Sequence, residues 1–238
     1  MATNELFQYS VVSALMDGVA SNGLPVSTLL NNGDLGLGTF RSMSGEMIVF
    51  DGLVYQMKHD GTVRRVDPDE EVTPFAMVTH FAPTTTLDAA LSSKDAVVDL
   101  LGKLFPDANN LYIAVRLDGV FRSVTVRTAE GQRFPGESLR AVGSRQVTHT
   151  FDGGVRGTLV GFRSPAFLQG VSVAGIHLHF IEEGRTRGGH VLDLETEGEV
   201  RLGAAVLSRV VLELPRGDDQ FNVAKLKTDA AGIHAIEG

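Results

Sequence analysis

Polar and apolar residues alternate with a period of two through most of this chain, in short runs broken by turn residues. GEMIVF, Asp51-Gly52, LVYQMKH, Asp60-Gly61 and TVRRV follow one another. Asp-Gly between alternating apolar runs favours tight hairpin turns, so this order predicts an antiparallel meander from Glu46 to Val66. A third pair, Asp118-Gly119 between NLYIAVRL and VFRSVTVRT, predicts another hairpin. Residues Thr73 to Phe81 read as a strand that Pro83 ends. The second half repeats the idiom in THTF, GTLVGF, VSVAGIHLHFI, GHVLDLETE and EVRLGAAVLSRVVLELP. Pro215 to Asp219 then reads as a turn, and Phe221 to Leu226 as a short helix or strand.

Two stretches carry the helical period instead. Leu6, Phe7, Val11, Val12, Leu15, Met16 and Val19 recur at helical spacing, which predicts an amphipathic helix ended by Gly18 and Ser21 to Gly23. Ser93 can cap a second helix running to about Phe105, with Asp95 in its first turn and Pro106 beyond. The glycine-rich GDLGLGTF segment lacks a feeding strand and a following Gly-Lys-Ser/Thr, so it is expected to be a tight connection and not a phosphate loop. From Ala129 to Gln146 no period is sustained, and Gly131, Pro135, Gly136 and Gly143 mark the best boundary. The expectation is an α+β, strand-rich fold in two parts: residues 1–140, with the first helix, the Asp-Gly hairpins, Glu46 and Arg127, and residues 141–238.

The densest candidate chemistry lies in GIHLHFIEEGRTRGGHVLDL, where His177, His179 and His190 fall within fourteen residues. Side chains at i and i+2 of a strand share a face, so His177 and His179 stand side by side. The polar run Glu182 to Gly189 makes the segment a hairpin. Centred between Gly184 and Arg185, it pairs residues whose numbers sum to 369, as 179 and 190 do. Opposed residues have Cβ atoms about 5 Å apart, close enough for imidazoles to converge on one ion. Three neutral imidazoles suit zinc with an open position, the catalytic pattern, although nickel, copper, manganese or iron could occupy such a set. An isolated His-x-His is more often a polar sheet face, and the third histidine at matching register is what lifts this one above that.

Two further residues draw notice. Glu46 opens its strand on the face of Ile48 and Phe50, where a carboxylate belongs either to the fringe of a sheet or to a site. Arg127 alternates with Val124 and Val126 on the polar side of its strand, and by itself reads as a solvated arginine.

The 238 residues suffice for a large core, and 43% hydrophobic content is ordinary for a globular protein. A net charge of −8 with no Lys/Arg run argues against a nucleic-acid surface. The absence of cysteine excludes disulfides and thiolate chemistry. No basic-then-apolar leader and no apolar run of about eighteen residues is present, so a cytoplasmic protein without membrane contact is expected.

LFQYSVVSALMDGV, GDLGLGTF with GEMIVFDGLVYQ, the arm ending VRT, GTLVGFRSP, and above all GIHLHF followed by GGHV together resemble the acetolactate decarboxylase family, over almost the whole chain. The resemblance implies a fold of two packed α/β parts with mixed sheets, a homodimer, and conversion of 2-acetolactate to acetoin and carbon dioxide. It implies zinc on His177, His179 and His190, with Arg127 and Glu46 lining the site and Glu237 of the C-terminal HAIEG completing it. Zinc would chelate the substrate's ketone and hydroxyl and stabilise an enediolate, which Glu46 or Glu237 would protonate. Where the family continues the arginine arm with Val-Pro-x-Gln, this chain has Ala129-Glu130-Gly131-Gln132. In the tail, burial of Ile236 would dock the segment by about 1.5–3 kcal/mol.

Two other readings compete. His177-x-His179 with Glu183 approaches the first motif of cupin-like metal oxygenases, without their second. Small domains resembling the GIHLHF to GGH segment also occur as non-catalytic oligomerisation modules.

Overall fold

Why the alternating runs settle into two large sheets and a two-stranded one is clearest from their burial in the computed structural model, which describes residues 3–227 and 230–237, the side chains of Ala230, His234 and Glu237 excepted. In chain order the strands are β1 (Leu6–Tyr9), β2 (Leu24–Pro25), β3 (Leu35–Thr39), β4 (Glu46–Phe50), β5 (Leu53–Met57), β6 (Val63–Arg65), β7 (Val72–Thr73) and β8 (Ala76–Thr79). There follow β9 (Thr85–Ala89), β10 (Tyr112–Thr128), β11 (Val147–Ser164), β12 (Gly175–Glu182), β13 (Gly188–Thr196), β14 (Val200–Leu207) and β15 (Val210–Glu213). The helices are α1 (Val12–Met16), α2 (Val26–Leu30), α3 (Lys94–Leu104), α4 (Leu139–Gly143), α5 (Asp219–Val223) and α6 (Ala230–Glu237).

A seven-stranded mixed sheet has the order β15-β1-β8-β3-β4-β5-β6, with β1 and β15 parallel and the other neighbours antiparallel. A six-stranded antiparallel sheet has the order β11-β12-β13-β10-β14-β9, and β11 pairs with β10 as well, so four of its strands close on themselves. The strand-rich α+β architecture agrees with the sequence pattern. The sheets do not divide at residue 140, however. β9 and β10 join β11–β14 in the second sheet, and β15 returns to the edge of the first. Chain order and sheet membership part because the long β10 supplies pairing edges to three strands of the second half.

Alternation along β4 shows how the layers are built. Met47 and Val49 face a cluster with Leu24, Val26 and Leu29 of the α2 side, whereas Ile48 and Phe50 face Val160 and Ile181 of the second sheet. A second inter-sheet cluster joins Leu37 and Met77 to Tyr112, Phe162 and Leu207, and includes Leu139 and Val142 of α4 with Ile233 and Ile236 of α6. Ile236 is 6% exposed, so the C-terminal segment is docked, and docked as a helix.

Several local expectations give way to tertiary context. Residues 6–9 form a strand and not the start of a helix, because all four are buried between β8 and β15, and a helix would bury only one face. Only residues 12–16 of the expected helix are helical. GDLGLGTF is the central strand β3 and not a connection; its glycines permit close approach, since a Cβ at Gly36 would lie 2.1 Å from the Met77 carbonyl oxygen. Asp51-Gly52 does turn, with φ of 52° and 71°. Asp118-Gly119 does not: β10 runs straight through it, with Asp118 paired to Thr158 on one side and Arg201 on the other. Two flanking partners hold extended a dipeptide that would turn at a free end. Pro74, which has no N–H, separates β7 from β8 where one strand was expected. The α3 cap is as expected, Ser93 Oγ accepting from Ala96 N at 3.1 Å.

The β11–β12 contact fixes the histidine strand. Gly161 pairs with Leu178, and a Cβ there would fall 1.9 Å from the carbonyl oxygen of His177. Gly161→Ala is therefore expected to lose roughly 1–3 kcal/mol of stability, as overpacking does. Equilibrium urea unfolding measures this, and a variant as stable as the parent would show that the two backbones do not need this approach.

Candidate active site

β12 and β13 meet in the register that brings the histidines together: His179 opposes His190, Phe180 opposes Gly189 and Ile181 opposes Gly188. The turn closes with Glu182 N donating to the Arg187 carbonyl at 2.9 Å, and Arg185 adopts a φ of 57° at its tip. His177, His179 and His190 are 6%, 1% and 1% exposed. Their nearest ring nitrogens lie 3.3 Å apart for His177 and His179, and 3.1 Å apart for His177 and His190. One nitrogen from each ring falls within 4.8 Å of the others.

Burial, first of all, depresses the basicity of the three rings. His179 is brought down to about 4, with the Met47 hydrogen bond opposing burial and the Arg127 guanidinium adding to it, and His177 and His190 lie well below the usual 6.5, with neighbouring imidazoles and the Arg127 and Lys94 cations pushing the same way as burial. The rings are thus neutral at physiological pH, the state in which imidazole donates a lone pair. The tautomer of His179 is fixed by β4: its Nδ1–H donates to the Met47 carbonyl at 2.7 Å, which leaves the lone pair on Nε2 beside His177. This donor set can hold a metal ion, and an all-imidazole set with a fixed tautomer fits zinc.

Glu46, the residue before Met47, is 9% exposed, with Oε2 3.6 Å from His179 Nε2. Arg127 is 7% exposed and its Nη2 donates to His190 Nε2 at 3.1 Å. The solvated arginine expected from alternation alone is corrected here: β10 is flanked by β11 and β13, which pair Arg127 with Thr148 and His190 and bury its polar side. Arg127 Nε is buried and has no hydrogen-bond partner among the described residues. Glu237 ends α6, and its side chain lies outside the described residues.

A cavity opens beside the histidines. His177, His179, Glu46, Thr39 and Gln146 line it on the polar side, and Val12, Leu15, Met43, Phe75, Leu139 and Val173 on the apolar side. Met43 and the preceding Ser42 both have positive φ, 54° and 59°, in the turn that delivers Glu46. Such non-glycine conformations cost about 1–2 kcal/mol each and collect at functional sites.

The model of the alpha-acetolactate decarboxylase family matches residues 6–228. The chain belongs to that family. An alpha-acetolactate decarboxylase of Methanosarcina mazei is 42% identical over 222 residues, 93% of this chain and 76% of the relative. One from Bacillus subtilis is 37% identical over 238 residues, covering 99% and 91%. The crystal structure of alpha-acetolactate decarboxylase from Bacillus subtilis strain 168 superposes with a TM-score of 0.92 at 35% identity, covering 98% of this chain and 99% of that one. A Staphylococcus aureus protein of unknown function, described as similar to alpha-acetolactate decarboxylase, gives a TM-score of 0.90 at 29% identity.

The VRT arm of β10 leads into the cavity wall at Ala129, and its exit is stapled by charge. Arg145 donates to Glu137 through Nη1 at 2.7 Å and Nη2 at 2.9 Å, to Glu130 at 3.0 Å, and to the Ala141 and Gly131 carbonyls. Gln132 donates to the Gly18 and Glu137 carbonyls, both at 2.8 Å. Gln146, Thr39 and the Met47 carbonyl, which also face or support the site, carry no signal in the sequence. The first lies in a stretch without period, and a backbone acceptor leaves no residue-type signal.

The staple is pH-dependent in a definite direction. The Arg145 hydrogen bonds hold the Glu137 and Glu130 carboxyls below the ordinary 4.5. Carboxyls depressed on folding contribute stability above 4.5 and lose it as pH falls through their lowered values. Arg145→Met should melt below the parent at neutral pH, and the gap should narrow as pH falls below the ordinary carboxyl value of 4.5. A gap independent of pH in thermal scans would remove the carboxyls from the account.

Proposed function

We propose that this chain is a zinc-dependent carboxy-lyase that converts 2-acetolactate to acetoin and carbon dioxide, with His177, His179 and His190 as the metal ligands. The observation carrying this reading is the buried, neutral three-histidine cluster beside Glu46 and Arg127 in a chain of the acetolactate decarboxylase family. Bound zinc supplies a Lewis acid that polarises the substrate's adjacent carbonyl and hydroxyl oxygens.

The chain's own groups account for the rest. His190 cannot accept from Arg127 at Nε2 and also serve a cation: a neutral ring that ligates through Nδ1 carries its proton on Nε2, and ligation through Nε2 uses the same lone pair. With His190 engaged as a ligand, Nη2 of Arg127 would be released from that ring, and Nε has no hydrogen-bond partner among the described residues. Two donors of one planar guanidinium become available to the substrate oxygen that gains charge as carbon dioxide leaves. Contact with the departing carboxylate alone would stabilise the ground state instead. The carbon that loses carbon dioxide must then take up one proton. Glu46, buried at the cavity, is one candidate donor, and Glu237 at the end of α6 is the other. The apolar wall receives the methyl groups and keeps bulk water from competing.

The chain is also proposed to form a homodimer through β15. That strand pairs only with β1 among the described residues, and Val210, Val211, Leu212 and Leu214 are 46%, 41%, 40% and 48% exposed. An apolar strand with a free edge is a template for another strand, and a second copy would satisfy it.

Metal analysis with an acetoin assay on 2-acetolactate tests the reading. Zinc at one equivalent and acetoin are expected; iron with oxygen uptake would favour the cupin-like oxygenase, and neither metal nor turnover the oligomerisation module. His177→Ala, His179→Ala and His190→Ala should each lose most bound zinc and all turnover while staying folded, because two imidazoles hold the ion poorly. Full zinc occupancy in any one of them would exclude that histidine. Arg127→Lys should keep its zinc and lose about 10²-fold or more in kcat, since an ammonium lacks the two-pronged donor. Parental turnover in the lysine variant would exclude Arg127 from the chemistry.

A further inference from the structure

Four of the five polar side chains that line the cavity already have work. The hydroxyl of Thr39 donates to the Gly45 carbonyl at 2.8 Å, the histidines form the metal cluster, and Glu46 stands against His179. The fifth is Gln146, the residue between α4 and β11. Its backbone N–H bonds the Gly143 carbonyl at 3.2 Å, but its side-chain amide makes no hydrogen bond with any described residue. The neighbouring Arg145 staple, which ties down both the Gly131 and Ala141 carbonyls, fixes the backbone that presents it.

We infer that Gln146 binds the carboxylate of the substrate, a role that rests on the decarboxylase reading and adds a substrate contact to it. The ligand divides as the cavity does: oxygens of the ketone and hydroxyl towards the histidines, methyl groups on the apolar wall, and a carboxylate that requires a donor of its own. A guanidinium in that place would stabilise the very charge that decarboxylation has to disperse. A primary amide donates two N–H groups without a formal charge, so it orients the carbon–carbon bond to be broken while resisting its cleavage less. Gln146 thereby leaves Arg127 to the oxygen on which charge develops.

The contact predicts a binding effect specific to the carboxylate. Gln146→Leu, which removes the donors, should raise KM for 2-acetolactate about tenfold with kcat changed by less than about threefold. Gln146→Glu, which keeps the shape and sets a carboxylate against a carboxylate, should raise KM further, by about 10²-fold. Competitive inhibition by acetoin, which keeps the ketone and hydroxyl but has no carboxylate, should be unchanged in both, as should zinc content and melting temperature. An unchanged KM in both variants would overturn the inference, and so would a loss of acetoin binding equal to that of acetolactate, since Gln146 would then act on the shared part of the ligand or on the cavity as a whole. Absence of acetoin formation by the parent enzyme would instead overturn the decarboxylase reading, and the assignment of Gln146 with it.

Discussion

The hydrogen bond from His179 to the Met47 carbonyl ties the two sheets together at the point where chemistry is possible. It fixes a tautomer on β12, and through β4 it sets Glu46 beside the same ring. The register of one hairpin then does the rest, because a slip of one residue between β12 and β13 would turn His190 to the opposite face. Gly161 permits β11 to press against β12 from the other side. A buried cluster of neutral rings is costly to assemble unless its donors have partners or an ion, and here the Met47 carbonyl partners His179 while the three rings can hold an ion between them.

The stability of the surroundings has a different origin from that of the cluster. Apolar contact between Ile48, Phe50, Val160 and Ile181 holds the sheets, whereas the wall opposite the histidines is held by charge, through Arg145 and its two carboxylates. That wall includes Leu139 of α4, against which α6 packs through Ile236.

Much of this was legible in the chain. The spacing of His177, His179 and His190 gave the hairpin register because period-two geometry and turn position are local properties, and Asp51-Gly52 turned for the same reason. Asp118-Gly119 failed as a turn because pairing on both edges of β10 outweighs a dipeptide preference. Leu6 to Tyr9 carried a helical spacing by coincidence, and burial on every side made it a strand. Arg127 was misjudged as solvated from alternation, which says which face a residue takes and nothing about what covers that face. The Met47 carbonyl and the place of Gln146 on the cavity wall could not be found this way at all, since both follow from the packing of segments far apart in sequence.

The central claim, that one zinc ion sits among these three histidines, is tested most directly by anomalous diffraction at the zinc absorption edge on crystals of the zinc-loaded protein. The account predicts a single strong peak per chain, about 2.0–2.1 Å from one nitrogen of each of His177, His179 and His190, with Arg127 no longer bonded to His190. A peak ligated by other residues, or none at this cluster with zinc in excess, would contradict it.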